Sequence, residues 1–179
     1  MKEKNLYNGG EIDFLKWQFE YVQDQIKTAD NKINFLLVIY LALLSVEFAQ
    51  IEKIVHIISN SCWWWEIIFG VISILFLSCI AIFFYYFINT IKPRKEPQEI
   101  LGKEDYKSFI FWGHVAEINF ENFKDTRIEK FYDDLKNQVF INSVIANIKF
   151  KNVSSAYKLL YPTLIIFLIL LTFIHLIGG

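Results

Sequence analysis

The chain has 179 residues, 54% of them hydrophobic, with 18 basic against 19 acidic side chains and a formal net charge of -1. That near balance excludes the unopposed run of cations with which a protein tracks nucleic-acid phosphates, so no DNA or RNA partner is expected. The hydrophobic excess is not spread evenly, and its distribution rather than its amount defines the class of protein.

Residues 1–32 are charged, and the apolar stretch behind them lacks a small-residue cleavage site, so no removable signal peptide is expected. Within them Ile12, Leu15, Phe19, Val22, Ile26, Ala29 and Ile33 alternate three and four apart. That spacing predicts an amphipathic helix over 11–32 with a heptad seam, running straight into the first membrane span.

Residues 33–49, 67–88 and 159–177 form apolar stretches of 17, 22 and 19 residues. As helices they reach roughly 25, 33 and 28 Å, close to a hydrocarbon core of about 30 Å. The first is the shortest, and it is expected to fit with Lys32 snorkelling to one interface and Glu47 standing at the other. The second holds no charge, and its only polar side chains are Ser73 and Ser78; a helix packed in a soluble core normally keeps a polar stripe. Trp63, Trp64 and Trp65 precede this span and Tyr85 and Tyr86 close it, as rings do at headgroup level.

Lys2, Lys4, Lys16, Lys27 and Lys32 lie before the first span and twelve Lys or Arg lie in 89–158, whereas the short loop between the first two spans has only Lys53. The positive-inside rule then places the amino terminus and 89–158 in the cytoplasm, with 50–61 and the carboxyl terminus outside. Cys62 and Cys79 fall at an interface and inside a span, so they are not a matched pair, and neither belongs to a metal-spacing motif.

The 89–158 segment opens with Lys92, Arg94 and Lys95, then Pro93, Pro97 and Gly102 break any helix before a cluster of Tyr106, Phe109, Ile110, Phe111, Trp112 and Gly113. Such rings cap a bundle or lie on a membrane surface, or stack on a nucleobase. His114 is the only histidine of this segment, so no histidine pair for metal or relay chemistry can be built here. Thr126 followed by Glu129 has the form of a capping box and predicts a helix start near Arg127.

From there Ile128, Tyr132, Leu135, Val139, Asn142, Ala146, Lys149, Val153, Ala156 and Leu160 continue a four-three alternation. Pro162 is expected to kink this helix where it enters the third span. Asn142 and Lys149 are polar where the stripe calls for apolar residues. Either they are buried with partners, Asp30 facing Lys149, or the seam rotates and both reach water.

The expected fold is therefore all-α, with three transmembrane helices, two of them extended into a cytoplasmic helical bundle. Its parts are a helix at 1–32, spans at 33–49, 67–88 and 159–177, and a helical domain at 89–158. An enzyme is not expected, because no Ser-His-Asp or Cys-His set and no glycine-rich phosphate loop can be assembled, and no cofactor is expected.

Three short motifs carry a family resemblance. Ala29, Asp30 and Lys32 head the first span, Phe111, Trp112 and Gly113 form a turn, and Asn142, Ser143, Ile145, Ala146 and Lys149 precede the last span. In this order and from about Leu15 onward, the chain resembles the Pycsar transmembrane effector family. It departs from that pattern at Trp112, which replaces a Phe, and at His114, where an acidic residue is common. The two-span SLATT conflict proteins are the nearest competitor, and the third span and the Asn142 to Lys149 stretch favour the former.

The resemblance implies an antiphage effector that senses a cyclic pyrimidine mononucleotide, cUMP or cCMP, and disrupts the inner membrane, with a homo-oligomer as its working form. On that reading Asp30, Lys32, Phe111, Trp112, Asn142 and Lys149 are the ligand-binding or switch residues. The alternative is a passive membrane-anchored adaptor that recruits a partner through the Ile12 to Ile33 seam, or a SLATT-like pore former.

Overall fold

The computed structural model describes residues 9–60, 63–92, 100–102, 108–117 and 128–177. Among these the secondary structure is helical and no strand occurs. The helices are α1 (Gly9–Ala49), α2 (Ile51–Asn60), α3 (Trp63–Ile91), α4 (Trp112–Glu117) and α5 (Ile128–Ile177). Three of them, α1, α3 and α5, are long and apolar enough to cross a membrane.

Helix α1 runs 41 residues without interruption because no Gly or Pro falls between Glu11 and Ala49. It ends where Gln50 N donates to Glu47 O at 3.0 Å, a tightened last turn, and Ile54 N then donates to Gln50 O to start α2. The stretch expected as a loop is thus mostly helix. Its apolar residues Ile51, Ile54, Val55, Ile57 and Ile58 fall three and four apart among polar ones, a periodicity that stabilises a short helix at an interface.

Helix α5 is described from Ile128, the expected cap at Thr126 and start near Arg127 lying outside the described residues, and it continues for 50 residues through Pro162. The missing donor at Pro162 does not end it. One residue on, the Thr163 hydroxyl donates to Leu159 O at 2.8 Å, a bond within its own helix beside the Lys158 carbonyl that Pro162 leaves without its helical donor.

The chain divides into two compact units, Met1–Ala29 with Pro93–Lys149, and Asp30–Lys92 with Phe150–Gly179. In the second unit Tyr40, Phe83 and Thr163, one from each span, are fully buried. The Tyr40 ring stacks on Phe83 with centroids 3.8 Å apart, and its hydroxyl lies 3.3 Å from Thr163 Oγ1. Since Thr163 gives its proton to Leu159 O, Tyr40 is the donor of that pair. Further pairs, Phe69 with Phe173 and Phe76 with Phe167, join α3 to α5. The opposite faces, with Phe35, Val38, Ile74, Leu77, Ile165 and Leu168, are exposed, which suits contact with acyl chains.

Ser45, Ser78 and Thr172 donate to the carbonyls of Leu41, Ile74 and Leu168, four residues back, at 2.7 to 2.8 Å. Their hydroxyls are spent on their own helices.

Candidate functional site

The first unit holds two features of chemical interest, a buried polar network and a ring-lined cavity. Its apolar frame is a cluster of Ile26 from α1 with Ile141, Ile145 and Ala146 from α5, covered by Val22, Ile100 and Leu101. The seam residues Leu15, Ile26 and Ala29 are buried, as are Leu135 and Ala146 of the α5 stripe. Asn142 and Lys149 are buried with them, at 2% and 9% exposure, so the seam does not rotate them to water. Both have interaction partners, as buried polar groups require.

The network centres on Ser108, which is fully buried. Its hydroxyl donates to Asp134 Oδ2 at 2.9 Å and accepts from Gln138 Nε2 at 3.0 Å and from the backbone N–H groups of Phe111 and Ile110 at 2.9 and 3.1 Å. Asp134 Oδ2 also accepts from Phe109 N at 2.8 Å, and His114 Nδ1 accepts from Ser108 N at 3.0 Å. Four consecutive amides, 108 to 111, are therefore all satisfied by side chains rather than by a backbone ladder. A backbone N–H can only donate, so Nδ1 carries no proton and His114 is the Nε2–H tautomer. Phe111 sets its ring edge-on to His114 at 5.2 Å.

Ser, His and Asp thus converge here, against the expectation that no such set could be assembled, but their bonding is not that of a hydrolytic triad. In a hydrolytic triad the imidazole takes the serine hydroxyl proton and the carboxylate orients the other ring nitrogen. Here the hydroxyl bonds the carboxylate directly, the imidazole is occupied by an amide, and Ser108 has no exposed surface. The geometry is that of a clamp fastening the 108–111 turn to α5. Among the described residues no group of three or more His, Cys, Asp or Glu gathers to hold a metal.

The cavity, about 370 Å³, lies near the start of α1 and is lined by Gly10, Glu11, Phe14, Leu15, Tyr132 and Lys136. Lys136 Nζ sits 4.3 Å from the Tyr132 ring centroid, held there by cation–π attraction. Phe14 begins a ladder of exposed rings in which Phe14 stacks on Trp17 and Trp17 on Tyr21, each at 5.8 Å. One face of this small space offers rings, a cation and a carboxylate.

Of the residues singled out from the sequence, Phe111 belongs to the clamped turn, and Asn142 lies one helical turn beyond Gln138 on α5. Lys149 ends the first unit, while Asp30 and Lys32 belong to the second, where Lys32 Nζ lies 5.4 Å from the Phe150 ring centroid. The Trp112 side chain and Tyr106 lie outside the described residues. Sequence reasoning missed Ser108, Asp134, Gln138, Phe14, Tyr132 and Lys136 as a set. The signal available was the four-residue spacing of Asp134, Gln138 and Asn142, a polar line beside an apolar stripe.

A helical chain with three helices long and apolar enough to cross a membrane, two of which continue into a second helical unit, has the build of a multi-span membrane protein. A family model described as the Pycsar effector protein domain matches residues 14–176, and the chain belongs to that family. It is on this ground an antiphage defence effector, and its three apolar helices fit an inner-membrane protein. No curated protein and no solved structure matches it.

Proposed function

We infer that the chain senses a cyclic pyrimidine mononucleotide in the cytoplasm and, in response, disrupts the inner membrane as a homo-oligomer, stopping growth of the infected cell. The observation that carries this reading is the cavity between α1 and α5 in the first unit. A cyclic mononucleotide presents one planar base and one negative charge. The cavity sets the rings of Phe14 and Tyr132 beside the Lys136 ammonium, with Glu11 as an acceptor for a base amino or ribose hydroxyl group. Its volume falls at the lower end of the roughly 300–1,000 Å³ typical of ligand pockets, as a small nucleotide requires.

Transmission follows from chain continuity. Helices α1 and α5 each belong to both units without a break, so a ligand that prefers one arrangement of their polar halves biases their membrane halves. In this scheme Asp30, Lys32, Phe111, Trp112, Asn142 and Lys149 are the ligand-binding or switch residues, and the burial of Asn142 and Lys149 supports a role in register. The amino terminus and 89–158 face the cytoplasm, as the Lys and Arg distribution requires. An adaptor recruiting a partner through the Ile12 to Ile33 seam has little free surface to offer, since Leu15, Ile26, Ala29 and Ile33 are already buried.

Titration of the purified full chain with cUMP and cCMP tests the binding. Saturable binding of one of them is expected, weakened roughly tenfold by Lys136→Ala, the size of one charge-assisted hydrogen bond. Cells expressing the chain with an active pyrimidine nucleotide cyclase should lose membrane potential, and cells with an inactive cyclase should not. Depolarisation that ignores the cyclase, together with no binding of either nucleotide, would overturn the reading.

A further inference from the structure

A second cavity, about 310 Å³, opens in the membrane unit where α1 gives way to α2. Its lining includes Leu44, Phe48, Phe69, Phe76 and Leu170, and its polar lining residues are Glu47 and Ser73. Glu47 Oε1 is buried with no hydrogen-bond partner among the described residues, and no ion pair joins it to Lys53 on the adjoining helix. A shortest-span helix with its acid at the membrane interface leads one to expect a hydrated carboxylate; this oxygen instead faces an apolar hollow.

A buried acceptor left without a donor is costly, and a carboxylate more so than a neutral group. The cost is removed by a ligand that brings an N–H donor with positive charge on an apolar body able to fill the space. Water meets only the first need. A quaternary ammonium brings charge but no proton to donate, so a choline headgroup leaves the oxygen as it was. A primary ammonium supplies three donors, and acyl chains are compatible with the exposed apolar surface of Phe48 and Ile51 in the lining.

We propose that the cavity at the α1–α2 junction is a site for an amine-headed phospholipid, its primary ammonium bonded to Glu47 and its chains laid along the apolar lining. The site ties the chain to a particular lipid at the end of the first span. It involves none of the residues assigned to nucleotide sensing, so the two readings stand or fall separately.

The test uses the full chain in nanodiscs of phosphatidylcholine alone or of phosphatidylcholine with phosphatidylethanolamine. Native mass spectrometry of the released protein should show phosphatidylethanolamine retained over phosphatidylcholine by roughly tenfold, the preference one charge-assisted hydrogen bond provides. The thermal midpoint should rise with phosphatidylethanolamine. In Glu47→Leu, which fills the hollow with carbon, the preference and the lipid-dependent shift should both vanish while the chain stays folded. Should that variant fail to insert, Glu47→Gln removes the charge at nearly constant shape and should lose most of the preference. Equal retention of the two lipids by the unaltered chain, or a phosphatidylethanolamine effect of the same size in the variants, overturns the proposal, because the response would then belong to the bilayer and not to this site.

Discussion

Replacing Ser108 by alanine removes a single hydroxyl yet strands three groups, the Gln138 amide and the N–H groups of Ile110 and Phe111, while Asp134 keeps its bond from Phe109 N. Each stranded buried group costs on the order of 1–3 kcal/mol, with partial relief from small shifts, so Ser108→Ala should destabilise the purified chain by about 2–3 kcal/mol. Ser143 is the natural control. Its hydroxyl is exposed and donates only to Val139 O within its own helix, so Ser143→Ala should stay within about 0.5 kcal/mol. Thermal unfolding in one detergent measures both; equal effects would mean that the Ser108 network is not a stabilising clamp. The contrast is informative because the two side chains are identical and only their surroundings separate them.

At the scale of elements, the two long helices carry opposing demands. Their polar halves must pack through a seam, and their apolar halves must span lipid, with no Gly or Pro between the two in α1 and only Pro162 in α5. Ser154 is exposed and sits five residues past the end of the first unit. A proline there deletes one ladder bond and clashes with the preceding turn, at about 3 kcal/mol, and opens a hinge. Ser154→Pro should leave nucleotide binding within about twofold of the unaltered chain while abolishing cyclase-dependent depolarisation, whereas Ser154→Ala should change neither. Calorimetry and a potential-sensitive dye read the two properties separately. Retained depolarisation in the proline variant would show that the signal does not travel along α5.

For the whole molecule, the proposed topology rests on where Lys and Arg accumulate, five before the first span and twelve in 89–158 against the single Lys53 between spans. Alkaline phosphatase fused after residue 179 should be active in the periplasm, and the same enzyme fused after residue 102 inactive. The opposite pattern would place the ring-lined cavity outside the cell and out of reach of a cytoplasmic nucleotide. The aromatic anchors agree with a spanning arrangement, since Trp63, Trp64 and Trp65 remain exposed at the head of α3 and Trp63 stacks on Trp64 at 4.1 Å.

Spans, helix continuity and the seam were legible in the bare sequence because each is a local property: hydropathy sums over neighbouring residues, and a stripe repeats every three or four. The burial of Leu15, Ile26, Leu135 and Ala146 followed from that periodicity. Helix α2 is legible in principle from the three- and four-residue spacing of Ile51, Ile54, Val55 and Ile57, although so short an amphipathic run between two apolar stretches reads equally as a loop. What only the tertiary structure decided is chemistry made by residues far apart in the chain. Ser108 meets Asp134 across 26 residues, Tyr40 meets Thr163 across 123, and Phe14 shares a cavity with Tyr132 and Lys136. Hydrogen bonds and cavities depend on directions and distances that no spacing along the chain records, so the partners of His114 and the lone oxygen of Glu47 emerged only once the helices were placed side by side.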